Sequence, residues 1–327
     1  MKLLGVAVGM IVLLGCMLAS VMFGIQPFGF HDVWMAYTHF DGSNAHIIIT
    51  DTRVPRALIG AVVGASLAIA GALMQVLTKN PLASPSVFGI NAGAVMFIVL
   101  SIYFFGSMLT LGSMIWIAFA GAALTALFVF LIGSKGVGGF EPVKLTLAGA
   151  SIAAFATSVT TGIMLIDSQS LDSAMFWMVG SLANREVKHL VIVLPYVAIG
   201  WILSMLLSNA LNVMALGDEI AKGLGQRMML IRVLSAVAII LLAGGSVAVA
   251  GPIAFVGVIV PHLCRYFVGN DHRWLLPYCA LTGAILLVGA DLVSRFIIMP
   301  KEVPVGVATA LLGVPFLVYV ARRRSHA

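Results

Sequence analysis

Ten mostly apolar stretches, at about 3–24, 56–77, 88–106, 112–133, 144–166, 190–208, 229–250, 253–268, 274–297 and 305–321, alternate with short polar islands. No other feature constrains the fold as much. A helix needs about 20 apolar residues to cross a hydrocarbon core of about 30 Å, and lipid offers its backbone no outside partner. A β-barrel would instead alternate over segments of about ten residues, and no such alternation is present. Composition agrees: 61% of the 327 residues are hydrophobic and 9% are charged, against roughly 25% charged for a soluble domain. The expectation is an all-α polytopic membrane protein with about ten transmembrane helices, forming a single domain over 1–327. Its 34 glycines suit helices that pack closely in lipid.

Other classes find little support. "LLGC" (13–16) imitates a lipoprotein cleavage box, but cutting before Cys16 would leave apolar "MLASVMFG" exposed, so a retained first span is expected. Cys264 and Cys279 are isolated in apolar surroundings, and no C-x-x-C is present. The seven histidines do not cluster, and neither H-E-x-x-H nor a nucleophile beside an evident base occurs. No metal site and no intramembrane enzyme is expected.

Gly251-Pro252 divides the run from 229 to 268, because proline cannot continue the helical hydrogen-bond ladder. Ten spans put both termini on one side. Cytoplasmic segments carry an excess of Lys and Arg. Placing the termini inside assigns Lys2, Lys79, Lys135, Lys144, Lys222, Arg227, Arg232, Arg265, Arg273, Arg322, Arg323 and Arg324 to the cytoplasm, twelve of the eighteen basic residues. Arg53, Arg56, Arg185, Lys188, Arg295 and Lys301 fall outside. The net charge of +6 is mostly this orientation signal and points to no nucleic acid.

A repeat is visible. "GASLAIAG" (64–71) and "GGSVAVAG" (244–251) match at five of eight positions, and Pro81 and Pro261 keep the same offset of 180. The two spans would run in opposite directions, giving an inverted internal repeat with halves at roughly 56–166 and 229–321. Such repeats, with interrupted helices, mark transporters.

Four polar islands carry the functional signal. In "ALGDEIAKGLGQR" (215–227), Leu216, Ile220 and Leu224 recur every fourth residue as one apolar stripe. Asp218 can cap its start, and Gly223 or Gly225 can end it. The spacing leaves two readings open, a helix lying on the membrane surface and a helix inserted into a cytoplasmic partner. "TKNPLASPSVFGINAGA" (78–94) interrupts membrane depth with two prolines, as an ordinary loop or as a stretch lining a pathway. "DTRVPRALIG" (51–60) places Arg53 and Arg56 on the outer flank of the second span, and Arg295 lies near the outer end of the ninth. Asp291, one turn earlier, can pair with Arg295 at i,i+4. "DSQSLDSAMFWMVGSLANRE" (167–186) is too polar to span. Its Phe176, Trp177 and Met178 read either as a half-helix at a cavity mouth or as an aromatic belt anchor.

With these islands, the sequence resembles the permease subunits of the iron–siderophore, haem and vitamin B12 ABC importers. The matching text is "RVPRALIGAVVGASLAIAGALMQVLTKNPLASPSVFGINAGA" (53–94), "WMVGSL" (177–182), "GDEIAKGLG" (217–225), "GPIAFVGVIVPHLCR" (251–265), "DHRWLLP" (271–277) and "VPVGVATALLGVPFLVYV" (303–320). It runs in order over nearly the whole chain. The resemblance implies a ten-span subunit paired with a second copy or a close paralogue, with the translocation path along their interface. It implies that Gly217, Asp218, Glu219, Ala221, Gly223, Leu224 and Gly225, within a cytoplasmic segment at 211–228, dock into an ATP-binding cassette ATPase subunit. Arg53, Arg56 and Arg295 match arginines that meet glutamates of an extracellular or periplasmic substrate-binding protein. Asn80, Pro81 and Leu82 fall in a cytoplasmic gate segment. A second gate region falls near 142–144, where "PVK" departs from the small hydroxylic residues of some members, so that gate is not carried over.

The implied function is passage of a ferric siderophore across the cell membrane, with haem or cobalamin as alternative cargo. No G-x-x-x-x-G-K-[ST] is present, so the chain cannot cradle ATP phosphates in the usual way, and energy must come from another chain or from an ion gradient. The resemblance implies the former, a partner ATPase that uses ATP and Mg, with no cofactor bound by this chain. An ion-coupled secondary transporter would need ionisable residues near mid-membrane, where Asp291 is the one acid plainly inside a span. A passive channel would need no binding protein.

Overall fold

The computed structural model describes residues 2–134, 141–166, 175, 177–299 and 301–324. Among these, the backbone is helical apart from short connections and an isolated bridge between Ile298 and Lys301. Seven helices are long and apolar enough to cross a membrane, and shorter apolar helical stretches at Ile90–Phe105, Val256–Val268 and Val305–Val318, the last being part of the final helix, bring the total to ten. That is the number of apolar stretches in the sequence.

The first helix, α1 (Lys2–Met22), runs along the outside of the bundle. After α2 (Phe30–Thr38) and α3 (Asn44–Ile47), a π-helical segment Ile48–Arg53 leads without a break into α4 (Val54–Leu77). The helical run Asn44–Leu77 is thus 34 residues long, so the outer flank that carries Arg53 and Arg56 is itself helical. Pro55 lies just past the junction of the π segment and α4, where its missing N–H removes one bond from the continuous ladder that Val54 still joins through the Ile49 carbonyl.

α4 is the central post. Its small residues admit neighbours at backbone distance: a Cβ on Gly64 would overlap the carbonyl of Gly283, and one on Gly71 would overlap Gly257. Beyond Thr78 the chain leaves the helix at Lys79 (φ 51°), passes Pro81, makes a 3-10 turn over Pro85–Phe88 and restarts through Gly89 (φ 69°). The prolines deny the ladder its donors, so the break falls where the sequence placed it. α5 (Ile90–Phe105), α6 (Leu111–Ser134) and α7 (Pro142–Ile166) then pack together, and α7 is largely exposed.

α8 (Val187–Met214) descends to the short α9 (Asp218–Gly223). α10 (Met228–Ile239) continues through a π segment, Ile240–Gly244, into α11 (Gly245–Ala250) as one span of 23 residues. α12 (Val256–Val268), α13 (His272–Ser294) and α14 (Val305–Arg324) complete the described chain. α12 corrects the eighth expected span. Its 13 residues rise only about 20 Å, because Gly251 (φ 74°), Pro252 and Phe255 (φ 69°) hold 251–255 out of the helix. The 180-residue offset also joins unlike elements, since Pro81 lies in a turn and Pro261 inside α12.

Candidate functional sites at the two ends of the central helix

The first site sits where α4 begins. Arg56 Nε donates to both carboxylate oxygens of Asp291, at 2.9 and 2.8 Å, and Arg56 Nη1 lies 2.5 Å from Glu302 Oε2. Arg295 Nη2 reaches the same Asp291 Oδ2 at 2.7 Å, the i,i+4 pair legible in the sequence. The other terminal nitrogen of Arg295, Nη1, donates to the Ser20 carbonyl at 2.6 Å and the Phe23 carbonyl at 3.2 Å, while Nη2 also bonds Ser20 Oγ at 2.8 Å. Arg53 donates to the Phe23 carbonyl as well, and a Cβ on Gly24 would collide with its guanidinium. The Ser20 carbonyl is one of the last four of α1, which have no partner inside the helix. Arginine donors therefore satisfy it and meet the negative end of the helix dipole.

These outer-flank arginines are buried. Arg53, Arg56 and Arg295 are 8%, 5% and 1% exposed, and Asp291 is 1% exposed. The acid that stood out as a candidate for ion coupling is thus committed to two guanidiniums near the end of α13. Three arginines against Asp291 and Glu302 leave a formal charge of +1. Glu302 is the outermost member, its side chain 32% exposed against 6% for Arg56.

The second site sits where α4 ends. Gly217, at φ 114°, starts α9 as its N-cap, and Asp218 is the first helical residue rather than the cap. Its carboxylate serves neighbouring elements instead: Oδ2 accepts from Arg232 Nη2 at 2.7 Å and from Lys79 Nζ at 3.2 Å. Burial pushes this carboxyl up, but Lys79 and Arg232 outweigh it and hold it below the usual carboxylate range. The helix ends as the glycines suggested. Gly225 (φ 78°) donates to the Lys222 carbonyl at 2.9 Å and Gln226 to the Ala221 carbonyl at 3.0 Å, a Schellman close that only glycine adopts without strain.

Ala221 faces inward and is fully buried, while Glu219, Gly223 and Gly225 are exposed. Leu216, Ile220 and Leu224 are 61%, 54% and 65% exposed. The stripe predicted from their spacing therefore exists and faces away from the protein. Beside it opens a cavity of about 700 Å³ lined by Gln75, Lys79, Pro81, Leu216, Arg265 and His272, among others. Arg265 Nη1 there bonds Gln75 Oε1 at 2.5 Å, and Gln75 Nε2 bonds the Gly257 carbonyl at 3.3 Å.

Asn80 has a local task. Its Oδ1 accepts from the Leu82 N–H at 3.0 Å and its carbonyl from the Ala83 N–H at 3.1 Å, which tightens the turn after α4 around Pro81. Trp177 is buried and carries the Arg185 guanidinium 4.6 Å above its ring, so it is no belt anchor. Burial draws Arg185 down to about 10. Met178 lines a cavity of about 170 Å³ with Asn91, Thr157, Thr160 and Pro252, so two of the polar islands meet there. Phe176 lies outside the described residues. Sequence reasoning missed the Lys79–Asp218–Arg232 clamp and the part played by Glu302; no spacing rule links positions so far apart.

The chain is similar over residues 11–323 to the family model described as the FecCD transport family. It is 49% identical over 312 residues to "Probable siderophore transport system permease protein YfiZ" of Bacillus subtilis (strain 168), covering 95% of this chain and 93% of that protein. It is 46% identical over 284 residues to "Fe(3+)-citrate import system permease protein YfmD" of the same organism, covering 87% and 84%. Among solved structures, a metal-chelate type ABC transporter in an inward-facing conformation superimposes with a TM-score of 0.85 at 26% identity, covering 98% of this chain and 99% of that one. The chain belongs to the FecCD transport family, the multi-pass permease subunits of iron–siderophore and vitamin B12 ABC importers.

Proposed function

We propose that the chain passes a ferric siderophore into the cytoplasm, with both termini on the cytoplasmic side and the energy supplied by a separate ATPase subunit that uses ATP and Mg. The observation that carries the reading is α9: an apolar stripe of Leu216, Ile220 and Leu224 turned outward on a helix anchored through Asp218 to α4 and α10. A stripe left in water has unburied apolar area, and a groove on the ATPase would cover it. The Lys79–Asp218 contact ties this helix directly to the break after α4. Movement of the ATPase would then reach the Asn80–Leu82 turn without passing through lipid.

At the other end, the arginine cluster receives the extracellular binding protein. Its formal charge of +1 favours an acidic face, and charge complementarity chiefly orients and speeds such encounters. Glutamates of the binding protein would exchange with Glu302 at Arg56. A second copy or a paralogue completes the pathway, which Asn91, Met178 and the 78–89 break would line. The sequence names of the similar proteins, siderophore and ferric citrate permeases, support an iron chelate as cargo.

The test is uptake of radiolabelled ferric siderophore in cells lacking this gene, complemented with wild type or with Ile220→Asp. Ile220 is exposed, so the variant inserts normally. Rescue by wild type alone is the expected result. Equal uptake in every strain would discard this cargo, and haem and cobalamin would be tried next.

A further inference from the structure

α1 and α13 run side by side in the same direction: the Tyr278 hydroxyl donates to the Lys2 carbonyl at 2.8 Å at one end, and Arg295 bonds Ser20 at the other. Between their first halves and α8 lies a cleft of about 420 Å³ floored by α4. Val6, Met10, Leu13, Val62, Trp201 and Leu281 are among its walls. It follows α1 from Val6 to Leu13, about 10 Å of helix. The cleft opens sideways between helices whose outer faces are apolar, with Ile11 70% and Ile202 61% exposed. An occupant therefore enters from the lipid phase.

Two cations stand one helical turn before the cleft's first wall residues on these helices, Lys2 before Val6 on α1 and Arg273 before Pro277 on α13. Lys2 Nζ stands over the Trp274 ring, 5.9 Å from its centroid, and Arg273 is exposed, its Nε 3.9 Å from Asp271 Oδ1. Asp271 is the acid that faces them. Its Oδ1 already accepts from Asn212 Nδ2 at 2.7 Å and from the Arg273 N–H at 3.1 Å. These three charged groups leave a formal +1 over an apolar slot with an aromatic rim.

We propose that this cleft binds one anionic phospholipid, with an acyl chain between α1, α8 and α13 and its phosphate against Lys2 and Arg273. The slot alone would accept the chain of any lipid. The rim discriminates, because a zwitterionic headgroup brings its own ammonium against the same cations.

The permease, purified in detergent and supplied with equal amounts of phosphatidylglycerol and phosphatidylcholine, is examined by native mass spectrometry for retained lipid. Phosphatidylglycerol is retained preferentially, and Lys2→Gln or Arg273→Gln lowers that preference about fivefold each, the scale of one basic residue at an anionic surface. Both positions are exposed, so neither variant disturbs packing. Ala280→Phe, which fills the slot, removes retention of both lipids. Equal retention of the two lipids, or retention indifferent to all three variants, would overturn the proposal. So would a dimer that forms without lipid and is lost in Ala280→Phe, which would assign the cleft to a second copy of the chain.

Discussion

Arg56 and Asp291, 235 positions apart, form a buried ion pair in which one N–H is shared between two carboxylate oxygens at 2.9 and 2.8 Å. Asp291 also holds Arg295, so its removal leaves buried Arg295 without a carboxylate and Arg56 with Glu302 alone. Breaking one partner of a buried pair costs about 3–5 kcal/mol, chiefly because the other charge stays behind unpaired. Asp291→Ala is therefore expected to lower the unfolding midpoint of the purified permease steeply. A midpoint within a degree of wild type would show that the cluster is not paired as described. By the same logic Arg56→Glu is a poor probe of docking, since it destroys the fold's own pair before any partner arrives.

Glu302 is the informative position for docking. Its ion pair with Arg56 is open to solvent on the Glu302 side only, and Arg56 keeps Asp291, so Glu302→Gln lowers stability far less than Asp291→Ala. If glutamates of the binding protein exchange with Glu302, this variant binds that protein several-fold more tightly at low salt. Unchanged affinity in a titration of the two purified proteins would place docking elsewhere.

How much of this was legible in the sequence follows from the range of each interaction. The spans were, because a bilayer forces apolar runs of fixed length. So were the break after α4, where Pro81, Pro85 and Gly89 are local signals, and the Asp291–Arg295 pair at i,i+4. The stripe on α9 and its glycine close were legible for the same reason. The burial of Arg53 and Arg56 was not: in a single chain, arginines beside a span read as solvated, and their partners at 20–26, 291 and 302 are remote. Asp218 misled because a carboxylate at a helix start caps by default, and only the approach of Lys79 and Arg232 draws it away. The shortness of α12 was hidden by Ile253 and Phe255, apolar residues that extend the hydropathy run through backbone that is not helical.

The crossing of α4 with α13 depends on two glycines. A methyl group on Gly64 meets the backbone carbonyl of Gly283, which cannot rotate away as a side chain can. Gly64→Ala is expected to cost about 1–3 kcal/mol through forced backbone separation. Gly223→Ala is the control, since nothing lies within 4 Å of its added carbon. Detergent-solubilised yield and midpoint compare the two, and equal behaviour would mean the helices are not in contact at that level.

Ile220→Asp separates partner binding from folding. The side chain is 54% exposed and packs against no core, so the midpoint stays within the scatter of surface substitutions, about 0.5 kcal/mol. Co-purification of the ATPase subunit is expected to fall at least tenfold. Normal co-purification would detach the stripe from the coupling role, whatever happens to uptake.

The clamp on α9 has a pH signature whose sign is fixed. Lys79 and Arg232 hold the folded-state Asp218 carboxyl below its unfolded value of about 3.9. Such a group contributes stability that is fully present above the unfolded value and is lost as pH falls through the folded one. At pH 7 the clamp is therefore complete, and α9 is released from Lys79 and Arg232 only as pH falls through the lowered folded-state value, beneath the unfolded one. A spin label on Leu224→Cys, in a Cys16→Ser background, reports the helix's mobility: it stays constant from pH 8 down to the unfolded carboxylate range of about 4 and rises only at more acid pH. Asp218→Asn keeps the shape but not the charge, so its label is already mobile at pH 7 and shows no further change on acidification. A pH response surviving in Asp218→Asn would assign it to another carboxylate, and α9 would then be held by its buried Ala221 and Schellman close alone.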